Sequence, residues 1–163
     1  MLGAVTKRGG SAKAAVGGGT SQVVVHRLAG TKKALEACRL IDGLYRAGRR
    51  VVAWIDDSGR AKMFDEYLWT YAQHSFVPHI LWAGEGEAED PVVVVTGSLA
   101  NPNRADALVV VDRIPDPVAA AAFPEIHDLA SQAAEDQGRR EAWEATGLSV
   151  SEVRGVPAPR DAD

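Results

Sequence analysis

Apolar positions along this chain follow two rhythms. Short unbroken runs of β-branched and aliphatic residues alternate with stretches where apolar residues return every third or fourth position. The first run covers residues 23–28, and a run of that length bounded by turn residues reads as a buried strand. A helix is expected over 31–47, with Thr31 placed to cap it and Ala34, Cys38, Ile41 and Tyr45 on one stripe. Gly48 stops it. A second strand covers 51–55, and the turn Asp56-Asp57-Ser58-Gly59 starts a second helix that reaches about Trp69. Residues 92–96 and 107–112 form two further apolar runs, of the kind covered on both faces in a parallel sheet. Asn101, Pro102 and Asn103 punctuate the loop between them. A third helix is expected over 117–134, interrupted or kinked at Pro124, and a last one over 137–146. Gly147 ends that helix, and residues 148–153 are a candidate final strand. This alternation predicts a three-layer, Rossmann-like α/β fold with a largely parallel central sheet.

Composition narrows the picture. With 163 residues the chain fits one domain. No run of ~18 apolar residues offers a membrane span. The single cysteine, Cys38, supports neither an internal disulfide nor a zinc knuckle, and a reducing, cytoplasmic setting is expected. A net charge of −4 argues against bulk nucleic-acid binding. That total hides an asymmetry: six basic residues and no acid precede Glu36. Residues 1–21 read as a disordered, glycine-rich basic extension, 22–154 as the globular domain, and 155–163 as a loose tail.

Nucleotide chemistry is the first thing to test in such a fold. No G-x-G-x-x-G follows the first strand and no Walker-type loop occurs. Thr96-Gly97-Ser98 follows a strand and could face an anion, with Asp112 at the end of the next strand as a metal-binding acid. Those four residues define the alternative reading, a small nucleotide-dependent enzyme. Asp56 and Asp57 could recruit a metal, although turn chemistry explains them more simply. His26, His74, His79 and His127 lack paired ligand spacing, and Cys38 sits on an apolar helical stripe. No cofactor, no metal and no catalytic set is expected.

Two features stand out. Tyr67, Leu68, Trp69, Tyr71, Phe76, Val77, Pro78, His79, Ile80, Leu81 and Trp82 crowd into 16 residues that run from a helix end through a loop. Aromatic residues in such a place are common interface material; the alternative is a loop that closes the core. The second feature is Arg139-Arg140 near Trp143. Arg139 and Trp143 share a helical face at i, i+4. Such a face can hold a carboxylate beside an apolar group; equally, Trp143 can dock on the sheet while the rest of the helix is solvated.

At these residues the sequence resembles the chi subunit family of bacterial DNA polymerase III. Asp65-Glu66-Tyr67-Leu68-Trp69 followed by Ser75-Phe76-Val77-Pro78-His79 is similar to the family's "DEALW…SFVPH" signature, with Tyr67 in place of Ala. Thr96-Gly97, Asn101-Pro102-Asn103, Ala105-Asp106, Leu108-Val109 and Val111-Asp112 resemble its "TG…NPN.AD.LV.VD" block, and Gly48-Arg49-Arg50-Val51 its helix-to-strand turn. The similarity covers about 22–153. The resemblance implies a non-catalytic replication adaptor in the clamp-loader assembly, with no cofactor. Such a protein grips the C-terminal tail of single-stranded DNA-binding protein and, through another face, the psi subunit. Where psi is lacking, the loader core or a helicase would take that face. DNA is then reached only indirectly, and no membrane is involved. Carried over by motif, Trp69, Phe76 and Pro78 form the partner-subunit interface, and Arg139, Arg140 and Trp143 the tail site. Here Trp143 is followed by Glu144 where the family has Lys, and Gly138 interrupts the helix. A third reading, direct single-stranded DNA binding through the basic extension and the aromatic loop, also follows from the residues.

Overall fold

In the computed structural model, which describes residues 21–157, seven strands form one sheet. They are β1 (Gln22–Arg27), β2 (Val51–Trp54), β3 (His79–Leu81), β4 (Val92–Val95), β5 (Ala107–Val110), β6 (Glu125–Ala130) and β7 (Ser149–Arg154). Their order is β3-β4-β2-β5-β6-β1-β7, and every pairing is parallel. Helices α1 (Lys33–Arg46) and α2 (Ser58–Thr70) cover one face, while the short α3 (Pro117–Ala120) and α4 (Arg139–Glu144) cover the other. The expected three-layer α/β architecture is therefore present.

Strand alternation divides the core. Val51 and Ala53 pack with Cys38 and Ile41 of α1 and Phe64 and Leu68 of α2. Val52 and Trp54 point the other way, toward Ala120 of α3, Phe123 and Trp143 of α4. All residues of β2, β4 and β5 are buried, which accounts for their continuous apolar runs. Gly48 ends α1 as the sequence implies: at φ 82° it takes a left-handed conformation, with its N–H donating to the Tyr45 carbonyl.

Several boundaries differ. Thr31 does not cap α1, whose N-cap is Lys32 with no side-chain hydrogen bond. The cap of α2 is Asp57, which accepts from the Arg60 N–H at 2.8 Å. The helix expected over 117–134 is a correction of substance. It stops at Ala120, and Glu125–Ala130 is instead the strand β6, paired with both β1 and β5. Pro124 breaks the helix and its carbonyl accepts from Gln22 N–H, which helps align β1 with β6. The strand signal is masked because β6 buries His127 and Asp128, whose polarity is answered by partners distant in sequence. β3 escapes notice because three residues give no period.

Residues 1–20 of the basic extension lie outside the described residues, as do 158–163 of the tail. Ser21, assigned to that extension, is buried, and its hydroxyl donates to the Ala121 and Phe123 carbonyls at 3.0 and 2.6 Å. Gly155 at the start of the tail donates its N–H to Arg27 O, and Val156 packs on the core. No helix among the described residues is long and apolar enough to cross a membrane.

Candidate protein-interaction surfaces

The aromatic segment is held from below. Asp42 of α1 is buried, and one carboxylate oxygen accepts from the Tyr71 hydroxyl and from Ser75 Oγ, the latter at 2.6 Å; the other accepts from Arg46 Nε at 2.9 Å. Burial, with the Asp42 bond second, pushes the Tyr71 phenol up to about 12, so it stays a donor. His79 is the second anchor. It is buried, with Nδ1 2.7 Å from Val77 O and Nε2 2.9 Å from Asp65 O. The Trp69 ring lies over it, centroids 4.0 Å apart, and Phe76 leans on Trp69 at 5.6 Å.

Above these anchors the surface is apolar and open. Trp69 is 42% exposed and Phe76 66%. Pro78 is half-buried between the buried Val77 and His79. Alternation along β3 puts the exposed Leu81 on the same sheet face as His79. The structure thus brings Trp69 and Phe76 into contact and sets Pro78 in the segment that joins them to β3. Val77 and Leu68 serve the core instead, so part of the segment does close it. A large aromatic left in water above a rigid base is a feature of docking sites more than of cores.

The second predicted cluster is divided. Arg139 is 7% exposed and Trp143 0%. The Arg139 guanidinium embraces Asp128 of β6 through Nε at 2.8 Å and through Nη2, and reaches Asp136 through Nη1 at 3.1 Å. Trp143 Nε1 donates to the same Asp128 at 2.8 Å. Asp136 also accepts from Ser131 N–H and Oγ and from Lys33 Nζ. Arg139 and Trp143 do share a face, as their spacing implies, but it is the inner one. This corrects the expectation that both present themselves to a partner tail: a buried carboxylate needs their donors. Arg140 is the surface member, 3.4 Å from Glu144 and 3.5 Å from Glu152.

The loop of the alternative reading is closed upon itself. Gly97 N–H and Thr96 Oγ1 both donate to Asp56 O, at 3.1 and 2.9 Å, and Gly97 O accepts from Trp54 Nε1. Asp112 pairs with Arg60, and Asp56 with Arg113 at 3.2 Å. Among the described residues, no group of three or more His, Cys, Asp or Glu is arranged to hold a metal. Cys38 is buried, and desolvation pushes its thiol up to about 12.

One polar chain was invisible in the sequence. His26 Nδ1 lies 3.0 Å from Gly155 O, His26 Nε2 2.8 Å from His127 Nδ1, and His127 Nε2 2.5 Å from Glu125, which Arg49 holds at 3.1 Å. Gly155 O can only accept, so His26 carries its proton on Nδ1 when neutral and accepts from His127. Burial holds His26 below its ordinary value. The His127 hydrogen bond, with Arg49 behind it, draws Glu125 down to about 2. Strand register joins these residues: His127 on β6 pairs with Val24 on β1, two residues before His26 and on the same face.

An open, all-parallel sheet, helices on both faces, sealed strand-end loops and a propped aromatic surface together define a three-layer α/β protein with features suited to docking. The model of the family described as DNA polymerase III chi subunit, HolC, matches residues 21–148, and the chain belongs to that family. It is 33% identical over 73 residues to a probable DNA polymerase III subunit chi of Rickettsia prowazekii (strain Madrid E), covering 45% of this chain and 44% of that one. Over 73 residues it is 36% identical to the DNA polymerase III subunit chi of Escherichia coli (strain K12), covering 44% of this chain and 49% of that one. The chain thus spans about half the length of the curated relatives it matches. Among solved structures, T4 UvsW superposes with a TM-score of 0.54 at 7% identity, over 83% of this chain and 41% of that one, a likeness of fold alone. The family suggested by the signature residues is thereby established.

Proposed function

We propose that this chain is a non-catalytic adaptor of the DNA polymerase III clamp-loader assembly. One surface docks a loader subunit of the psi type, and another takes the acidic C-terminal tail of single-stranded DNA-binding protein. Membership in the chi family supports a replication accessory role. The observation that carries the reading is the Trp69–Phe76 pair, exposed in water above anchors supplied by His79 and Asp42. Pre-positioned aromatics lose little conformational freedom on binding and make strong anchors. The loader-subunit face is Trp69, Phe76 and Pro78.

The tail contact is less fully built at α4. Of the three carried-over residues, Arg140 is the one at the surface, where it pairs with Glu144 and Glu152. The protein reaches DNA through a partner already bound there and works in the soluble replication machinery.

Titration of purified clamp-loader subunits onto wild type and Phe76→Ala tests the loader-subunit face. Phe76→Ala should weaken binding at least ~30-fold, the effect of losing a central aromatic anchor, while the unfolding midpoint stays put. Equal binding by both proteins refutes the assignment.

A further inference from the structure

A polar cleft of about 490 Å³ opens at the amino ends of β2, β4 and β5. Arg50, Glu89 and Asn103 precede those three strands in turn and line it together with Glu87 and Arg104. Open α/β sheets hold nucleotides beyond the opposite, carboxyl ends of their strands, so this cleft owes nothing to that chemistry. Its size falls within the ~300–1,000 Å³ range of ligand sites.

Asn103 marks the site. It is 2% exposed, and its Nδ2 donates to the carbonyls of Val51, Asp90 and Pro91 at 3.1–3.3 Å. Turning the amide over would set its oxygen against those three carbonyls, so its orientation is fixed. Oδ1 is left as a buried acceptor with no donor among the described residues. Buried polar groups are nearly always answered, and one that is not calls for a donor from outside. The neighbouring donors are spent. Arg50 donates through Nε to Asn103 O and through Nη2 to Glu89 O and Asp90 O, at 2.8–3.1 Å. Arg104 balances Glu87 at 3.5 Å.

The acids nearby select the kind of donor. The Glu89 carboxylate has neither an ion pair nor a hydrogen bond among the described residues. Residues 85–90 hold four acids and no base. A carboxylate and an amide oxygen that both lack donors suit a cation. They are separate acceptors, not the parallel pair that a guanidinium fork matches, so a compact ammonium with three donors fits them better. β3 and β4 are neighbours with His79 opposite Val92, so the cleft shares one end of the sheet with the exposed Trp69 ring stacked on His79. A polypeptide that covers the ring has the cleft in its path.

We propose that this cleft takes a lysine side chain from a segment of a partner protein: the ammonium donates to Asn103 Oδ1 and pairs with the Glu89 carboxylate. The inference goes beyond the adaptor reading and does not depend on it.

The test uses the full chain labelled with ¹⁵N-asparagine and a synthetic lysine-rich peptide, with its Nε-acetylated form as control. The sequence holds two asparagines, Asn101 and Asn103, so two side-chain amide signals are followed. Asn101 is an internal reference, since its Nδ2 donates to Ala105 O at 2.9 Å and its Oδ1 accepts from Ala105 N–H at 2.7 Å. The lysine peptide should shift the Asn103 signal and leave Asn101 in place, and the acetylated peptide should shift neither. Glu89→Gln should weaken binding ~10-fold, as expected when a charge-assisted bond becomes a neutral one, with the unfolding midpoint unchanged. Glu135→Gln, at the carboxyl end of the sheet, should change affinity less than about twofold, as for a remote surface charge. An unmoved Asn103, equal binding of the two peptides, or equal affinity of wild type and Glu89→Gln overturns the inference. A shift of Asn103 with spermidine but none with the peptide overturns it in favour of a free polyamine.

Discussion

Arg139→Ala and Arg140→Ala are one residue apart and should behave as different kinds of change. Arg139 is 7% exposed, and removing it leaves Asp128, fully buried, with Trp143 Nε1 and the Leu129 N–H but no cation. Breaking a buried, hydrogen-bonded ion pair from one side costs roughly 3–5 kcal/mol. Asp136 keeps Lys33 and Ser131, which places the loss toward the lower end. For a domain of this size each kcal/mol shifts the midpoint by roughly 3 °C, giving a fall of roughly 10 °C. Arg140 makes its two contacts at 3.4 and 3.5 Å with a side chain 40% exposed. An exposed pair of that kind contributes less than ~1 kcal/mol, hence under ~3 °C. Differential scanning calorimetry and urea unfolding at pH 7 measure both. Equal midpoints for the two variants would refute the placement of Arg139 and Trp143 inside. A large loss in Arg140→Ala alone would reverse the assignment.

Other outcomes follow from the same geometry. Phe76→Ala, at a position 66% exposed, should leave the urea midpoint within ~1 kcal/mol of wild type. His26 is held below its ordinary value of 6.5, so it is neutral in the fold while the unfolded chain takes up a proton. Its contribution is present above pH 6.5 and is lost as pH falls below that, so wild type should lose stability between pH 7 and 5 more steeply than His26→Gln. Parallel curves would count against this. Glu125, drawn to about 2 from 4.5, contributes above pH 4.5 and loses that contribution as pH falls toward 2. Glu125→Gln should therefore flatten acid unfolding in that range. Cys38, with its thiol pushed up to about 12, should react with a thiol reagent at pH 8 only as fast as the domain opens; prompt labelling of native protein would contradict its burial.

The sequence made the layered sheet legible where strands carry nothing but apolar residues. β2, β4 and β5 are buried throughout, so composition and position coincide. β6 was hidden because His127 and Asp128 are tolerable inside only through His26, Arg139 and Trp143, and no local pattern announces partners so far away in the chain. The same long-range debt hides which way Arg139 and Trp143 face. An i, i+4 Arg–Trp pair shows that two residues share a face but not which side that face turns to. Asp128, on a strand the pattern did not reveal, decides it. The aromatic loop reads better, because exposure of bulky rings near a helix end violates the ordinary polarity of loops. Which of its residues close the core, such as Val77, and which stay open, such as Phe76, depends on the Asp42 and His79 anchors. The cleft at the amino ends of the strands escaped, since Arg50, Glu89 and Asn103 meet only once β2, β4 and β5 lie side by side.

An adaptor must hold two partners at once, and a bridging measurement tests that most directly. Single-stranded DNA coated with the cognate single-stranded DNA-binding protein is fixed to a sensor, and clamp-loader subunits are supplied with and without this chain. The account predicts that the loader is retained only when the chain is present. Retention should fall at least ~30-fold with Phe76→Ala, as for loss of a central aromatic anchor. If the two partners compete for the chain, or the loader binds equally without it, the adaptor account is contradicted.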